Sequence, residues 1–599
     1  KRIKNLARDR VGIGGQLARD VKLNALINIL TFLGRDNMLD IVIKNGTIID
    51  GTGKKGYVAD VGIKGEYICK IHDEIKDEAK EYIDAKGFTV SPGFIDAHGH
   101  SDFTIFINNF GESKIRQGIT TEVVGNCGFT AGPITAEHKD DQLQYLANTI
   151  VLSDEIRGKW NWESQKSFLD YSSRNGMSFN LAPLVGHGMI HVGVMGFEQR
   201  KPVHDEMDRM KALLKHELDN GFYGLSTAFQ YEPGNFIAMD EIIELCKLVK
   251  EYDGIYTIHM RDEGKDLIPC VKHAIEIARK TRARIQISHL KATYRPNWGK
   301  VNEAIALIDE AYNDGLDVGF DVYPYTAFGS GLIDLVPPWA KKDGPKEMVN
   351  LLKDERARLR AIKDMKDGLE DWETIMICDD WDECVKIAIL KSEKNKKYEG
   401  MTIKEVAEDM QCSSYEAVIQ LLIDEDASVK CIYFAMCEED LIGIMRHPRV
   451  CFGTDGRACA TYGELSKGSV HPRYYGTYPR IFGRYVREKK VLTLEDAIKK
   501  STSLPAERFH IHRRGAIKED YFADITIFDQ DKIIDTATFE NPHRYPEGIE
   551  YVIVNGKVVI NRDAHTGQLP GVVLRKGRVE TWNGRNRGAP SLQRSTTMP

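Results

Sequence analysis

Apolar strands that alternate with amphipathic helices constrain the fold of the central part of this 599-residue chain. Eight segments read as buried strands because they lack the polar alternation of a half-exposed strand, and they span residues 93–98, 121–127, 179–185, 221–227, 255–259, 284–289, 316–323 and 449–455. Apolar residues at helical spacing lie between several of these segments, for example Leu267, Val271, Ala274, Ile275 and Ala278. Eight such units predict an α/β fold, a (β/α)8 TIM-type barrel whose active site lies at the carboxyl ends of its strands.

Two β-rich pieces flank this predicted barrel. Residues 38–50 and 60–71 alternate apolar and polar side chains, and residues 523–528 and 551–560 repeat that pattern near the other end of the chain. Strands this short need partners to be stable. We therefore predict one composite small domain, a β-sandwich built from residues 38–92 and 501–574, beside a barrel that spans residues 93–500.

A long insertion separates the seventh predicted strand from the eighth. It covers about residues 327–447 and contains helical patterns at 347–362 and 403–410. Because loops at the carboxyl ends of barrel strands surround the active site, the insertion is expected to form a lid subdomain. The alternative is a subdomain that has no part in catalysis.

Both termini are expected to lie outside the fold. Residues 1–37 begin with basic residues and continue into an apolar stretch, but Arg35 and Asp36 follow that stretch without a small-residue cleavage site. This pattern favours an N-terminal extension before a natural start at Met38 over a secretory signal. Residues 575–599 are polar and basic without apolar periodicity, which predicts a disordered tail.

Composition narrows the class of partner. The 82 Lys and Arg residues nearly balance the 89 Asp and Glu residues, for a net charge of −7. A nucleic-acid binder normally carries a basic face, so that class is disfavoured. The 11 cysteines are scattered and odd in number, which indicates a reducing, cytoplasmic compartment. No stretch approaches the ~20 apolar residues of a membrane span. We expect a small-molecule substrate, and neither nucleic acid nor a membrane as partner.

Six potential metal ligands or proton acceptors fall at the ends of the predicted strands. They are His98, His100, Cys127, His259, His289 and Asp455. Each of them alone could be a hydrogen-bonded residue of the core or of a turn. In a (β/α)8 barrel, however, the carboxyl ends of all strands lie on the same face, so these six side chains are expected to meet there. Imidazole and thiolate ligands favour zinc. The sequence therefore predicts a zinc-dependent enzyme.

The chemistry of such a site is hydrolysis of an amide-like bond. Zinc lowers the pKa of a bound water to ~7 and polarises a carbonyl oxygen. Asp455 would act as the general base that accepts the proton of this water and passes it to the leaving nitrogen. The alternative for Asp455 is a helix cap or a turn residue. Dinucleotide-binding, P-loop and nucleophile-elbow motifs do not compete with this interpretation.

The order of these residues resembles the D-aminoacylase (N-acyl-D-amino-acid deacylase) family of the amidohydrolase superfamily. The blocks that carry the resemblance are residues 91–102, 125–128, 224–227, 288–291, 321–327, 453–456 and 471–480, and it extends from about residue 38 to about residue 574. The resemblance implies zinc-dependent hydrolysis of N-acyl-D-amino acids to a carboxylate and a free D-amino acid.

The resemblance also implies roles for particular residues. A tight zinc site would be held by Cys127, His259 and His289, and a second site, weak or partly occupied, by His98 and His100. Recognition of the substrate carboxylate would fall to Lys291, Tyr323, Ser330 and Arg473. The match at Ser330 requires one extra residue, because Phe328 precedes Gly329 and Ser330 here. Lys and Arg can both bind a carboxylate, and Arg can do so through two hydrogen bonds.

Two alternatives belong to other classes. A cyclic-amide hydrolase of the hydantoinase or dihydropyrimidinase type would share the barrel and the metal, but it is expected to carry a bridging lysine in place of a cysteine ligand such as Cys127. A non-enzymatic scaffold of the same fold would be expected to lack some of the ligands, and all of them are present in this sequence.

Overall fold

The structure is a computed structural model that describes residues 38–146, 160, 162–230, 232–342, 344–370 and 372–577. In chain order its strands are β1 (Leu39–Ile48), β2 (Tyr57–Lys64), β3 (Tyr67–His72), β4 (Ala79–Asp84), β5 (Thr89–Pro92), β6 (Phe94–Asp96), β7 (Ile119–Val124), β8 (Asn180–Pro183), β9 (Val185–Gly186), β10 (Gly224–Ala228), β11 (Ile255–His259), β12 (Arg284–Ile287), β13 (Val318–Val322), β14 (Phe328–Gly331), β15 (Val385–Ile389), β16 (Lys430–Tyr433), β17 (Val450–Phe452), β18 (Ile525–Phe528), β19 (Ile549–Val554), β20 (Lys557–Asn561) and β21 (Ala564–His565).

The α-helices of the described residues connect and surround these strands. In chain order they are α1 (Asp102–Ile105), α2 (Glu112–Ile115), α3 (Lys139–Leu146), α4 (Gln165–Ser172), α5 (His187–Met195), α6 (His204–Asp219), α7 (Met239–Glu251), α8 (Leu267–Thr281), α9 (Lys300–Asn313), α10 (Pro338–Lys341), α11 (Pro345–Lys353), α12 (Glu355–Asp367), α13 (Ile403–Met410), α14 (Ser414–Asp424), α15 (Glu438–Arg446), α16 (Arg473–Arg480), α17 (Leu494–Ser501) and α18 (Ser503–Arg508). A π-helical segment, Ile481–Glu488, follows α16.

The central strands pair in parallel and form a ring. Strands β6, β7 and β8 pair in that order, and the series β9, β10, β11, β12, β13 and β17 pairs in the same parallel manner. Only Leu184 separates β8 from β9, and its N–H donates to the Val124 carbonyl at 2.8 Å. The ring closes where the Ala97 N–H donates to the Phe452 carbonyl at 3.1 Å. Each of the eight predicted segments contains strand residues of this ring, so the predicted α/β fold is confirmed.

Burial explains why these strands read as continuous apolar runs. Every residue of β10, β11 and β13 is buried, because helices cover one face and the interior of the ring covers the other. The amphipathic helices α8 and α9 bury the predicted apolar stripes, including Val271 and Ala304. The carboxyl ends of the strands are recognisable in the sequence because the apolar runs end there at polar side chains such as His289 and Asp455.

Strands from both ends of the chain share one sheet. Its order is β21, β20, β19, β18, β5, β1, β2 and β3, with β4 beside β1. The junction is the antiparallel pair of β18 with β5, in which Ile527 lies opposite Val90. Ile43, Val61 and Ile525 belong to the apolar core of this sheet. The strands are joined in one hydrogen-bonded sheet, and its division into the two layers of a sandwich stays a prediction.

The insertion between β13 and β17 has its own sheet and its own apolar core. Strands β14, β16 and β15 pair antiparallel in that order, and residues such as Leu335, Met348 and Val385 form the core. The helical pattern at 347–362 corresponds to two helices, α11 and α12, because Asp354 ends the first and caps the second by accepting a hydrogen bond from the Ala357 N–H at 3.0 Å. The pattern at 403–410 matches α13.

The predicted extension at 1–37 and residues 578–599 of the predicted tail lie outside the described residues. The first residues of that tail are ordered. Arg575 is buried, its guanidinium lies 4.9 Å from the centre of the Phe222 ring, and it donates to Asp170 at 2.9 Å. The boundary predicted at residue 575 is therefore too early, since a basic side chain that packs on an aromatic ring cannot be distinguished from tail by composition. Among the described residues, no helix combines the length and the apolar character that crossing a membrane requires.

Candidate active site

The six predicted strand-end residues meet at one end of the ring, and we call them the strand-end wall: His98, His100, Cys127, His259, His289 and Asp455. The Cys127 Sγ atom lies 3.3 Å from His98 Nε2, 3.7 Å from His259 Nδ1 and 3.9 Å from His289 Nε2. These side chains come from the first, second, fifth and sixth strands of the ring. The structure thus brings Cys127 together with residues that are up to 162 positions away from it in the sequence.

Asp455 joins this cluster from the last strand of the ring. Its Oδ1 atom lies 3.3 Å from His100 Nε2 and 3.6 Å from His98 Nε2. Its Oδ2 atom lies 3.1 Å from Arg473 Nη2. The carboxylate therefore bridges the histidines of the first strand and a buried arginine. It lies beside the group formed by Cys127 and the histidines around its sulfur atom.

Three members of the strand-end wall have left-handed backbone conformations. The φ angles are 53° for Cys127, 36° for His289 and 44° for Asp455. Such angles are uncommon for residues other than glycine, and they persist where the surrounding structure fixes them, often at functional sites. Each strand thus ends in a sharp turn at the residue that carries the polar side chain.

Side chains behind the histidines fix the orientation of the rings. His98 Nδ1 lies 3.2 Å from Asp321 Oδ1, and His289 Nδ1 lies 3.0 Å from Glu263 Oε1. His259 Nε2 lies 2.7 Å from Gln230 Oε1. Each ring therefore uses one nitrogen for an outer partner and turns its other nitrogen toward Cys127, which is the arrangement that holds histidine ligands around a metal.

The electrostatics of the cluster favour an ionised thiol and an ionised carboxyl group. Burial alone would raise the pKa of the Cys127 thiol, but the nearby charge of His98 and hydrogen bonds from the other imidazoles hold that pKa well below its usual range. Burial likewise opposes ionisation of Asp455, but the Arg473 guanidinium and the His289 ring hold the pKa of that carboxyl group well below its usual range. Thiolate and carboxylate are the forms that bind metals.

The donor set fits a zinc ion. The ligand atoms of Cys127, His259 and His289 lie within 4.8 Å of one another, and so do those of His98, His100 and Cys127. Zinc prefers thiolate sulfur and imidazole nitrogen at about 2.0–2.3 Å in a tetrahedral shell, so its ligand atoms stand about 3.3–3.8 Å apart. The distances from Cys127 Sγ to the three histidine nitrogens agree with that spacing.

The predicted carboxylate-binding residues lie beside this cluster. The guanidinium carbon of Arg473 lies 4.6 Å from the centre of the Tyr323 ring, and Lys291 Nζ lies 5.9 Å from the same ring. Lys291 Nζ also lies 2.7 Å from each carboxylate oxygen of Glu263. Ser330, on β14, donates its hydroxyl hydrogen bond to Asp334. All four predicted residues border one cavity of about 860 Å³, together with most of the strand-end wall.

Residues of the insertion also line the cavity. We call them the insertion wall, and the residues that define it are Ser330, Asp334, Lys341, Ile389 and Lys430. These side chains are half-buried, whereas four of the six members of the strand-end wall are buried. The cavity is thus lined by polar strand ends and by insertion residues of both charges, together with residues from other parts of the chain such as Phe103 and Phe197.

A buried lysine that the sequence interpretation missed connects the ends of the first and last strands. Lys114 Nζ donates to Asp96 at 2.7 Å, to the Thr454 hydroxyl at 2.6 Å and to the Gly456 carbonyl at 2.9 Å. Asp96 in turn accepts from the backbone N–H of His98 at 3.2 Å. Lys114 therefore holds together the backbone segments that carry His98 and Asp455.

Sequence reasoning missed Glu263, Gln230 and Lys114, and it gave Asp321 no role. Glu263 and Gln230 lie in loops, where no periodicity indicates the direction of a side chain. Lys114 belongs to the short helix α2, where a lysine reads as solvent-exposed. Asp321 lies at the end of a predicted strand and inside a block that carries the resemblance, so its position was a usable signal.

Comparisons with known proteins agree with the fold and with this site. A family model described as "Amidohydrolase family" matches residues 441–560. The D-aminoacylase of Alcaligenes xylosoxydans xylosoxydans is 33% identical over 535 residues, which are 89% of this chain and 97% of that protein. The chain is therefore an amidohydrolase.

Two solved structures narrow the class. The crystal structure of N-acyl-D-glutamate deacylase from Bordetella bronchiseptica, complexed with zinc and a phosphonate inhibitor that mimics the tetrahedral intermediate, has a TM-score of 0.74 and 30% identity over 90% of this chain and 100% of that chain. A D-aminoacylase structure, described as having a binuclear metal centre with one-metal activation and second-metal attenuation, has a TM-score of 0.73 and 31% identity with the same coverage. The chain belongs to the D-aminoacylase (N-acyl-D-amino-acid deacylase) family.

Proposed function

We propose that this protein is a zinc-dependent hydrolase that cleaves the amide bond of N-acyl-D-amino acids and releases a carboxylate and the free D-amino acid. The observation that carries the proposal is the position of Cys127 Sγ within 3.9 Å of three histidine nitrogens, beside Asp455. Relatives that align over most of the chain are named D-aminoacylase, N-acyl-D-glutamate deacylase and N-acyl-D-aspartate deacylase, which favours this reaction over cyclic-amide hydrolysis. The intact donor set argues against a non-enzymatic scaffold.

The metal would be held at two positions of unequal strength. Cys127, His259 and His289 would hold the tight zinc, because they combine a thiolate with two imidazoles whose other nitrogens are already engaged. His98 and His100 would hold the second, weaker ion. When bound, zinc polarises the substrate carbonyl and lowers the pKa of water to ~7.

Asp455 would move the proton during hydrolysis. Its carboxylate lies between the histidines of the first strand and Arg473, within reach of a water and of a substrate amide in the cavity. Since the pKa of Asp455 lies well below its usual range, the group is ionised at neutral pH, which is the form that a general base requires. The same group would then deliver the proton to the leaving nitrogen.

The α-carboxylate of the substrate would bind to Arg473, Lys291, Tyr323 and Ser330. Arg473 and Lys291 both approach the Tyr323 ring, so two cations and one hydroxyl converge on one side of the cavity. A planar guanidinium can bind a carboxylate through two parallel hydrogen bonds. A carboxylate bound there would orient the amide nitrogen of the substrate toward Asp455. That orientation would favour one enantiomer of the N-acyl-amino acid over the other.

The architecture that supports this chemistry is proposed to be a (β/α)8 TIM-type barrel over residues 93–500, with the insertion at about 327–447 as a lid. The parallel ring and its closing hydrogen bonds support the barrel, and the cavity residues from β14 and β16 support the lid. Residues 38–92 and 501–574 would form the small composite domain.

The direct test is turnover of N-acetyl-D-amino acids by protein that has been stripped of metal and then reconstituted with zinc. We expect release of acetate and the free D-amino acid that depends on zinc. A hydantoin supplied at the same concentration is the matched comparison. Better turnover of the hydantoin, or equal turnover without metal, would contradict the proposal.

A further inference from the structure

A second group of metal-ligating side chains lies outside the cavity. His187 and His191 are four residues apart on α5, and Glu241 belongs to the first turn of α7. His187 Nε2 and His191 Nδ1 each lie 2.8 Å from the same carboxylate oxygen, Oε1 of Glu241. In the described part of the chain, none of the three residues lines the cavity of the active site.

The burial of this group is nearly complete. The exposed fractions are 1% for His187, 2% for His191 and 2% for Glu241, and the apolar residues Met189, Ile190 and Ile242 beside them in the chain are core residues. A carboxylate is almost never fully buried unless a cation compensates its charge. Within the described ranges, the ion-pair partners of Glu241 are His187 and His191, and no Lys or Arg lies at that distance.

The two imidazoles compensate this charge poorly when they are neutral. Burial lowers the pKa of His187, which opposes a proton on that ring. Burial would also raise the pKa of Glu241, but the hydrogen bonds from both histidines hold that pKa at about 2, so the carboxyl group is ionised. The cluster therefore combines a buried negative charge with two imidazole nitrogens that contact the same carboxylate oxygen, and a bound cation would compensate that charge in place of the two N–H groups.

We infer that His187, His191 and Glu241 form a structural zinc site that is separate from the catalytic centre. Two histidines at i and i+4 on one helix and a carboxylate from a second helix are a donor set that zinc accepts. Zinc at about 2.0–2.2 Å from each atom would hold tetrahedral ligands about 3.3–3.5 Å apart, so the present 2.8 Å contacts need to open by roughly half an ångström. The ion would tie α5, which directly follows β9, to α7, which follows β10.

The test that needs no variant is anomalous diffraction at the zinc absorption edge from crystals of the full chain grown with zinc. We expect one peak between His187, His191 and Glu241, in addition to density at Cys127. A map without a peak at the helical cluster overturns the inference, whether or not the strand-end wall is occupied. The strand-end wall thus serves as an independent internal reference.

A second test counts zinc per chain after unbound metal has been removed. Glu241→Gln keeps the shape of the side chain but removes its charge, and we expect it to lower the content by about one zinc relative to the unchanged protein. The matched control is Glu217→Gln, since Glu217 is also buried but accepts hydrogen bonds from the backbone of Gln165 and Lys166. Equal zinc contents in both variants and the unchanged protein would show that the cluster is only a hydrogen-bond network.

Discussion

The two walls of the cavity differ in how their side chains are held. On the strand-end wall, Cys127, His259 and His289 are buried, and both rings are hydrogen-bonded from behind. On the insertion wall, side chains such as Ser330 and Lys430 are half-buried and extend from an antiparallel sheet with a separate core. Fixed groups suit bond cleavage, because catalysis requires positions that are held before the substrate arrives.

This difference suggests that the strand-end wall carries out bond cleavage and that the insertion wall determines substrate affinity and preference. The strand-end wall contains the donors and the carboxylate that the proposed reaction needs. The insertion wall contributes cations and anions together, for example Lys341 and Asp334, to the lining of the cavity. We therefore expect substitutions on the strand-end wall to abolish activity, and those on the insertion wall to change affinity and preference.

The largest effect is expected from Cys127→Ala. The variant loses a thiolate from an otherwise complete donor set, so the zinc of the strand-end wall and the hydrolytic activity should be lost together. Elemental analysis beside the hydrolysis rate checks this. Cys431→Ala, the same change at a buried cysteine that borders the cavity on β16, is the control and should keep its zinc. Full zinc in the Cys127 variant would show that its sulfur is structural.

Asp455→Asn should separate the base from the ligands. Asparagine keeps the shape of the side chain but cannot accept a proton at neutral pH. We expect kcat to fall by ~10²–10⁴, the usual contribution of a positioned acid–base group, while zinc stays bound. Zinc content and kcat are measured on the same preparation. Loss of the metal with the rate would make Asp455 a required ligand, and near-normal kcat would refute both roles.

Arg473→Lys tests the recognition of the substrate carboxylate. The lysine keeps a positive charge but loses the planar pair of donors and the contact with Tyr323. A charged hydrogen bond contributes about 1.5–3 kcal/mol, which corresponds to a rise in KM of roughly 10-fold to 100-fold. Zinc content should stay normal. An unchanged KM would move carboxylate recognition to Lys291.

The smallest effect is expected from Ser330→Ala on the insertion wall. Only one hydrogen bond is removed, so KM should rise by roughly 2-fold to 10-fold, from about 0.5–1.5 kcal/mol. Zinc content and kcat should not change. A large fall in kcat would contradict the division between the walls, because it would place a catalytic group on the insertion.

The sequence predicted the strand-end wall for a physical reason. A buried strand has a recognisable apolar run, and its end is visible where a polar residue such as His289 or Asp455 interrupts that run. The predicted barrel then places the separate strand ends at one site. The left-handed backbone at Cys127 and Asp455 could not be foreseen, because it depends on the packing around each turn.

The partners behind the site were not predictable in the same way. Glu263 and Gln230 lie in loops, and their contacts with His289 and His259 depend on tertiary structure. Lys114 reads as an exposed helical residue, yet it is buried against Asp96. The pairing of β14 with β16 was not predictable either, because these strands are about a hundred residues apart in the sequence.

The most direct test of the central claim compares the two enantiomers of a single substrate. The measurement is kcat/KM for N-acetyl-D-leucine and N-acetyl-L-leucine with zinc-loaded protein, repeated with the two forms of N-acetylglutamate. If the strand-end wall cleaves an amide whose carboxylate is fixed by Arg473 and Lys291, the D-enantiomer of at least one pair should be hydrolysed much faster than its L-form. Equal or faster turnover of the L-enantiomer in both pairs would contradict the account.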